Sequence, residues 1–312
     1  MKSKNNIAII LPAFNEENTI RDTILSFHAV MPDANIWVIN NNSTDQTSLI
    51  AQKAFKQNNI NGFVLNESKQ GKGFAVAKAF SQIEADVYVM CDADSTYPAA
   101  EVTNLIKPVI NDEADIVVGD RISNGSYVNQ NRRTFHSFGN RLVKGLINLL
   151  FKSNLNDIMS GYRVFSRKFV KNYPILVGGF EIETDMTIFA LDRKYKIIEL
   201  PIIYSDRPEG SFSKLNTFWD GLKVLKTIFN MFRHYKPLAF FSFASVIMFL
   251  FGFLFGYIVI IDYLDDSFIS RVPLAILTGV FILSGIVSLG IGLILDSIHY
   301  HHKQFENQHQ KK

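Results

Sequence analysis

Two uncharged stretches, Leu238–Ile261 and Val272–Leu295, each run for 24 residues, longer than the roughly 20 an α-helix needs to cross a hydrocarbon core. They leave little choice of structure, because backbone surrounded by lipid must satisfy its own hydrogen bonds, and within one segment only a helix does so. A short loop carrying Asp262, Asp265, Asp266 and Arg271 joins them, so a membrane-spanning helical hairpin is predicted over residues 237–296. Lys223, Lys226, Arg233 and Lys236 precede the first span, and Lys303, Lys311 and Lys312 follow the second. Basic residues at span ends are retained in the cytoplasm. The expectation is a multi-pass protein of the cell membrane with both termini cytoplasmic, a tail at 297–312 and an acidic loop outside. Ile7–Leu11 is too short for the core of a secretion signal, so the residues ahead of Pro237 are expected in the cytoplasm. The single cysteine, Cys91, excludes an internal disulfide and fits a reducing compartment.

The remainder reads as an α/β domain over residues 1–215. Short β-rich runs at Ile7–Leu11, Asn35–Ile39, Gly62–Leu65, Asp86–Met90 and Ile116–Gly119 alternate with segments suited to helices. That alternation predicts a doubly wound parallel sheet, whose ligands bind beyond the carboxyl ends of the strands. Polar groups gather at those ends: Asn15 and Glu16 after the first run, Asn40 to Asp45 after the second, Asp92 and Asp94 after the fourth, Asp120 and Arg121 after the fifth. Asp92-Ala93-Asp94 is the most informative of these. Paired carboxylates are hard oxygen ligands for Mg²⁺ or Mn²⁺, ions usually shared with substrate phosphates. The formal net charge of +3 says little by itself; no nucleic-acid partner is expected.

Two segments have the pattern of helices lying in a headgroup layer, basic residues interleaved with apolar ones. Arg132 to Lys152 places Phe135, Phe138, Leu142, Leu146 and Leu149 at helical spacing among Arg132, Arg133, Arg141 and Lys144. Leu222, Leu225, Ile228, Phe229 and Phe232 do the same within 216–236. Packing on the sheet is the alternative for the first. Gly252 with Gly256, and Ser284, Ser288 and Gly292, form small-residue faces that favour close helix packing, including association of subunits into a homo-oligomer. His299, His301 and His302 read as a polar collar at the end of the second span.

Eight motifs occur in one order: Leu11-Pro12-Ala13-Phe14-Asn15-Glu16-Glu17, Asn42 to Asp45, Gly71-Lys72-Gly73, Asp92-Ala93-Asp94, Gly119-Asp120-Arg121, Asp157 with Ser160-Gly161-Tyr162-Arg163, Gly179-Phe180-Glu181, and Arg207 to Lys214. Together, from about Ile7 to Lys214, they resemble the family 2 glycosyltransferases of GT-A fold. More narrowly they are similar to the polyprenyl-phosphate glycosyltransferases, which include dolichol-phosphate mannose synthase. The resemblance implies inverting transfer of a sugar from a nucleotide diphosphate, a UDP-sugar by preference, to a polyprenyl monophosphate such as undecaprenyl or dolichyl phosphate. It implies a Mg²⁺ or Mn²⁺ cofactor held by Asp92 and Asp94, with Thr96 where some relatives carry Gln. Arg121 and Arg133 would grip the acceptor phosphate, whose fork-like recognition suits Arg. Pro12, Ala13, Asn15, Glu16, Asn41 and Lys72 would line the donor pocket, and Arg207, Ser213 and Lys214 would belong to a loop over the diphosphate. Asn40 and Asn41 stand where relatives often have acids. Asp45 serves equally well as a turn or cap. Glu181, Glu183 and Asp185 are expected to take contact or structural roles. A polysaccharide synthase acting on a sugar hydroxyl is the alternative, yet Gln130 to Thr134 lacks the terminal Trp of the Gln-x-x-Arg-Trp motif expected there.

Overall fold

In the computed structural model, the residues described are 5–123, 134–175, 177–179, 181–205, 226, 228–230 and 232–309. The chain divides into two compact units, Met1–Leu225 and Lys226–Lys312. In the first, each predicted apolar run is a strand: β1 Ile7–Ala13, β2 Asn35–Asn40, β3 Gly62–Asn66, β4 Val87–Met90 and β5 Ile116–Asp120. Helices α1 Ile20–Val30, α2 Thr47–Gln57 and α3 Lys72–Gln82 connect them, followed by the short helices α4 Val102–Leu105 and α5 Lys107–Ile110. Ala8, Ile9, Ile10 and Leu11 are all buried, as a strand covered on both faces requires. Ile20, Ile24 and Phe27, four and three residues apart, close over one face of the sheet, the spacing of a single helix stripe.

The sheet has seven strands in the order β3-β2-β1-β4-β6-β5-β7. It departs from the expected all-parallel arrangement in one respect. β6, Arg163–Ser166, inserts between β4 and β5 and runs antiparallel to both. β7, Ile197–Pro201, then pairs parallel with β5 at the edge. The four residues of β6 open with an arginine, so no apolar pattern marks them. That arginine is fully buried and donates to Ser160 O and Thr187 Oγ1, each at 2.9 Å, and to Ile158 O; a buried cation survives only when its donors are taken up in this way. Thr187 belongs to helix α8, Ile182–Asp192, which follows α7, Arg167–Asn172.

The segment expected at Arg132 to Lys152 is helix α6, Thr134–Phe151. Val143 and Ile147 are buried, while Leu142 and Leu149 are exposed, Leu149 at 76%. Val143 and Ile147 therefore tie the helix to its unit, while Leu142 and Leu149 of the interfacial pattern point outward. Asn148 ends the helix by bonding Leu155 O, Leu155 N and the Ser153 hydroxyl at 2.7–3.1 Å.

The second unit contains α9, Pro237–Asp266, and α10, Val272–His309, both long and apolar enough to cross a membrane. Phe243, Leu250, Phe253, Leu283 and Ile294 are each more than half exposed, which a core helix of a water-soluble protein would not tolerate. The small residues do their packing within the hairpin. A Cβ on Gly252 would lie 2.9 Å from Ile282, and one on Gly292 2.9 Å from Phe241. Ser245 donates to Gly285 O at 2.7 Å and Ser288 to Phe241 O at 3.0 Å. Phe229 and Phe232 pack their rings against Phe240.

Candidate active site

Strand order changes direction between β1 and β4, since β1 pairs with β2 on one side and β4 on the other. Beyond the carboxyl ends of two such strands a crevice opens, because the connections leave in opposite directions. Asn15 and Glu16 follow β1 there, and Asp92 and Asp94 follow β4. Asn15 has φ 52° and its side chain accepts from Thr44 N at 2.8 Å, while its own N–H donates to Ser43 Oγ at 3.0 Å. Glu16 N donates to Thr47 Oγ1 at 2.8 Å. These bonds tie the end of β1 to the loop after β2. Asp45 takes the turn-and-cap role, accepting from Thr47 N at 3.0 Å and Glu17 N at 3.2 Å. Pro12 is half-buried and Ala13 buried at the end of β1.

The two carboxylates are held differently. Asp94 is buried, and its Oδ1 accepts from the Thr96 hydroxyl at 2.6 Å and the Thr96 N–H at 3.2 Å. Thr96 thus orients Asp94. The intervening backbone is fixed from α1, where Thr19 Oγ1 donates to Ala93 O at 2.8 Å, and Ser95 turns the chain away at φ 59°. Asp92 is more open, its side chain 29% exposed. Gly161 is required beside it, because a Cβ there would collide with the Asp92 carboxylate.

Lys72, placed by sequence in the donor pocket, is engaged by two carboxylates. Its ammonium bridges Asp92 Oδ1 and Glu183 Oε1, with side-chain exposures of 9% for Lys72 and 6% for Glu183. Burial works against the charged ammonium, but the two carboxylates outweigh it and raise its pKa above the usual lysine value. The glycines on either side answer a backbone contact: Gly73 N donates to Gly178 O at 3.1 Å, and a Cβ on Gly71 or Gly73 would run into Gly178 O or Val177 O. Gly71 also adopts φ 143°, which only glycine takes without strain. Asn41 is buried and ties the same loop down, accepting from Gly71 N and donating to Lys69 O, both at 2.7 Å. The Asn41 amide thus holds this loop beside the site.

Arg121 is likewise engaged by protein. Its guanidinium grips Asp157 through two bonds of 2.7 and 2.8 Å, its backbone N–H adds a third at 3.1 Å, and Nη1 reaches the Tyr97 hydroxyl at 3.3 Å. Burial disfavours the Asp157 charge, yet Arg121 keeps the pKa below the ordinary value. Tyr97 OH in turn accepts from Gly161 N at 3.0 Å, and Glu199 accepts from Asp157 N at 2.7 Å. In this arrangement Arg121, assigned from sequence to the acceptor phosphate, holds the 157–161 loop against the site. Asp185 is buried and accepts from the Tyr173 hydroxyl; burial raises it to about 6. Arg133, Arg207, Ser213 and Lys214 lie outside the described residues.

Among the described residues no three His, Cys, Asp or Glu side chains gather as a ready-made metal cage. Asp92 and Asp94, with the Thr96 hydroxyl beside them, are an incomplete set of hard oxygen donors, the kind that fits Mg²⁺ or Mn²⁺ whose shell is finished by a diphosphate and water.

Comparison with known proteins agrees with this geometry. Residues 8–173 match the family described as Glycosyl transferase family 2. Glycosyltransferase AglJ of Haloferax volcanii is 29% identical over 308 residues, 97% of each chain. The Dolichyl-phosphate hexose transferase of the same organism is 26% identical over 224 residues, 72% of this chain and 92% of the relative. The crystal structure of glucosyl-3-phosphoglycerate synthase from Mycobacterium tuberculosis in complex with Mn²⁺, UDP and phosphoglyceric acid superposes with a TM-score of 0.60 at 20% identity, covering 74% of this chain and 79% of that one, and so shares the fold. The matched segment contains β4 and the Asp92/Asp94 pair it ends in, and the chain belongs to glycosyl transferase family 2.

Proposed function

We propose that this enzyme transfers a sugar, with inversion, from a UDP-sugar to a polyprenyl monophosphate at the cytoplasmic face of the cell membrane. The observation that carries the reading is the joining, in one chain, of a carboxylate pair at the β1/β4 crevice with two helices apolar and exposed enough to lie in lipid. The name of the dolichyl-phosphate relative supports the acceptor, and the UDP complex of the structural neighbour supports the donor. The state of the remaining acids supports a phosphate over a sugar hydroxyl. A hydroxyl needs a general base, and of the three acids at 181–185 two are engaged, Glu183 with Lys72 and Asp185 buried against Tyr173, while Glu181 is half-buried. A phosphate monoester, with its second pKa near about 6, is already ionised at neutral pH.

Asp92 and Asp94 would hold Mg²⁺ or Mn²⁺, which supplies positive charge to the leaving diphosphate. Thr96 keeps Asp94 aimed at that position, and Gly161 leaves room for Asp92. The ends of β1 and β2 form the wall on which the nucleotide rests, with Pro12, Ala13, Asn15 and Glu16 along it. Arg121, through Asp157, fixes the loop that carries Gly161. From sequence, Arg133 is assigned to the acceptor phosphate and Arg207, Ser213 and Lys214 to the diphosphate. Outward-facing Leu142 and Leu149 of α6, with exposed Arg141, fit a helix resting on anionic headgroups. The test is to incubate membranes carrying the full chain with labelled UDP-sugars and undecaprenyl phosphate. Label in an organic-extractable lipid is the expected result; label found only in polymer would sink the assignment.

A further inference from the structure

We propose that Lys72 occupies the cation position between Asp92 and Glu183, so that a divalent metal enters the site together with the nucleotide diphosphate and not ahead of it. The inference rests on the reading of Asp92 and Asp94 as the metal carboxylates. Without the ammonium, Asp92 and Glu183 would present two carboxylates to the same position, an arrangement that favours uptake of a divalent ion. Here Lys72 already contacts both.

The lysine has little freedom to leave. Its backbone starts α3 between Gly71 and Gly73, both pressed on the 177–178 backbone, and Asn41 clamps the turn ahead of it. Its side chain and that of Glu183 are nearly inaccessible, and only Asp92 opens outward. A bare divalent ion arriving at Asp92 therefore meets a fixed positive charge at contact range, where repulsion in a partly dehydrated site is strong. A diphosphate cancels the charge of the ion it carries. The same ammonium then no longer repels the incoming pair.

Mn²⁺ binding to the full chain in detergent, followed by the electron paramagnetic resonance of free Mn²⁺ with and without UDP, tests this. The parent should bind Mn²⁺ at least roughly tenfold more tightly when UDP is present. Lys72→Met should raise the UDP-free affinity by about tenfold, adding Glu183→Gln should reverse that gain, and Lys72→Arg, which keeps the charge, should preserve the dependence on UDP. Equal Mn²⁺ affinity with and without UDP in the parent overturns the proposal whether or not any variant folds. So does a folded Lys72→Met protein whose UDP-free affinity stays the same or falls, or a Lys72→Arg protein that has lost the dependence. Asp94→Asn separates the two levels: if it leaves Mn²⁺ binding with UDP unchanged, the metal assignment itself falls and takes this inference with it.

Discussion

Replacing Arg121 with Met decides between two roles for this arginine, holding Asp157 or gripping a ligand. Its guanidinium meets both Asp157 oxygens, and the two side chains are only 10% and 2% exposed. Met keeps much of the stem volume but leaves a carboxylate where water does not reach. Removing one member of such a pair costs about 3–5 kcal/mol, and at about 2–4 °C per kcal/mol for a unit of this size the melting temperature should drop by roughly 10 °C. The pH dependence has a definite sign. In the parent the Asp157 pKa is depressed, so its contribution is present above the unfolded-state value of about 3.9 and is lost as pH falls through the lower folded value. Without the Arg121 side chain, burial, which raises the carboxyl's pKa, is opposed only by the backbone N–H of residue 121 and the charge of Arg163; the deficit of the variant is then greatest at neutral pH and shrinks as the pH approaches about 4. Thermal unfolding of the full chain in detergent, followed by tryptophan fluorescence at neutral and acidic pH, reads both effects. Arg121→Met with Asp157→Asn should recover most of the loss at neutral pH. A single variant that melts within about 2 °C of the parent, yet transfers no sugar, would refute the reasoning and place the Arg121 fork on a ligand.

Asp94→Ala should lower Mn²⁺-dependent formation of labelled lipid by at least roughly 100-fold with little change in melting; a variant of near-parent rate would remove Asp94 from the metal. Asp185 holds its proton more tightly in the folded chain, at about 6 against an ordinary 3.8, so its contribution is full below the unfolded value and fades as pH rises to about 6. Asp185→Asn keeps an acceptor for Tyr173 and should flatten that decline, a difference approaching ~3 kcal/mol in urea unfolding across the window; parallel profiles would contradict it. Gly71→Ala must bear both the positive φ and the approach of Gly178 O, and should lose about 1–3 kcal/mol, read as a shift in urea midpoint.

Helix α9, helix α10 and strands β1 to β5 were legible because their signals are local: an uncharged run of fixed length, or an apolar run between turn residues. β6 carries no such signal. It exists because β4 and β5 each offer a hydrogen-bonding edge and because three acceptors close around Arg163, two of them on its own loop and the third on α8. The same contrast divides the site. Asp92 and Asp94 were marked by their place behind an apolar run together with the motifs around them, since a lone Asp-x-Asp arises by chance. Asn41 and Arg121 were marked by residue type and by their place at strand ends, Lys72 by its place between two glycines, and for these the type was ambiguous. A polar group at a strand end can face a ligand, or it can satisfy groups that the end of the sheet leaves unpaired. What decides between the two is the partner. Asn41 meets Gly71 across 30 residues, Arg121 meets Asp157 across 36, and Lys72 meets Glu183 across 111. Glu183 was visible as one of three acids close together, but only the β6 reversal and the Gly73 to Gly178 backbone contact bring its helix to the lysine. The groups that determine how this site receives a cation are thus set by contacts that no local window of the chain contains.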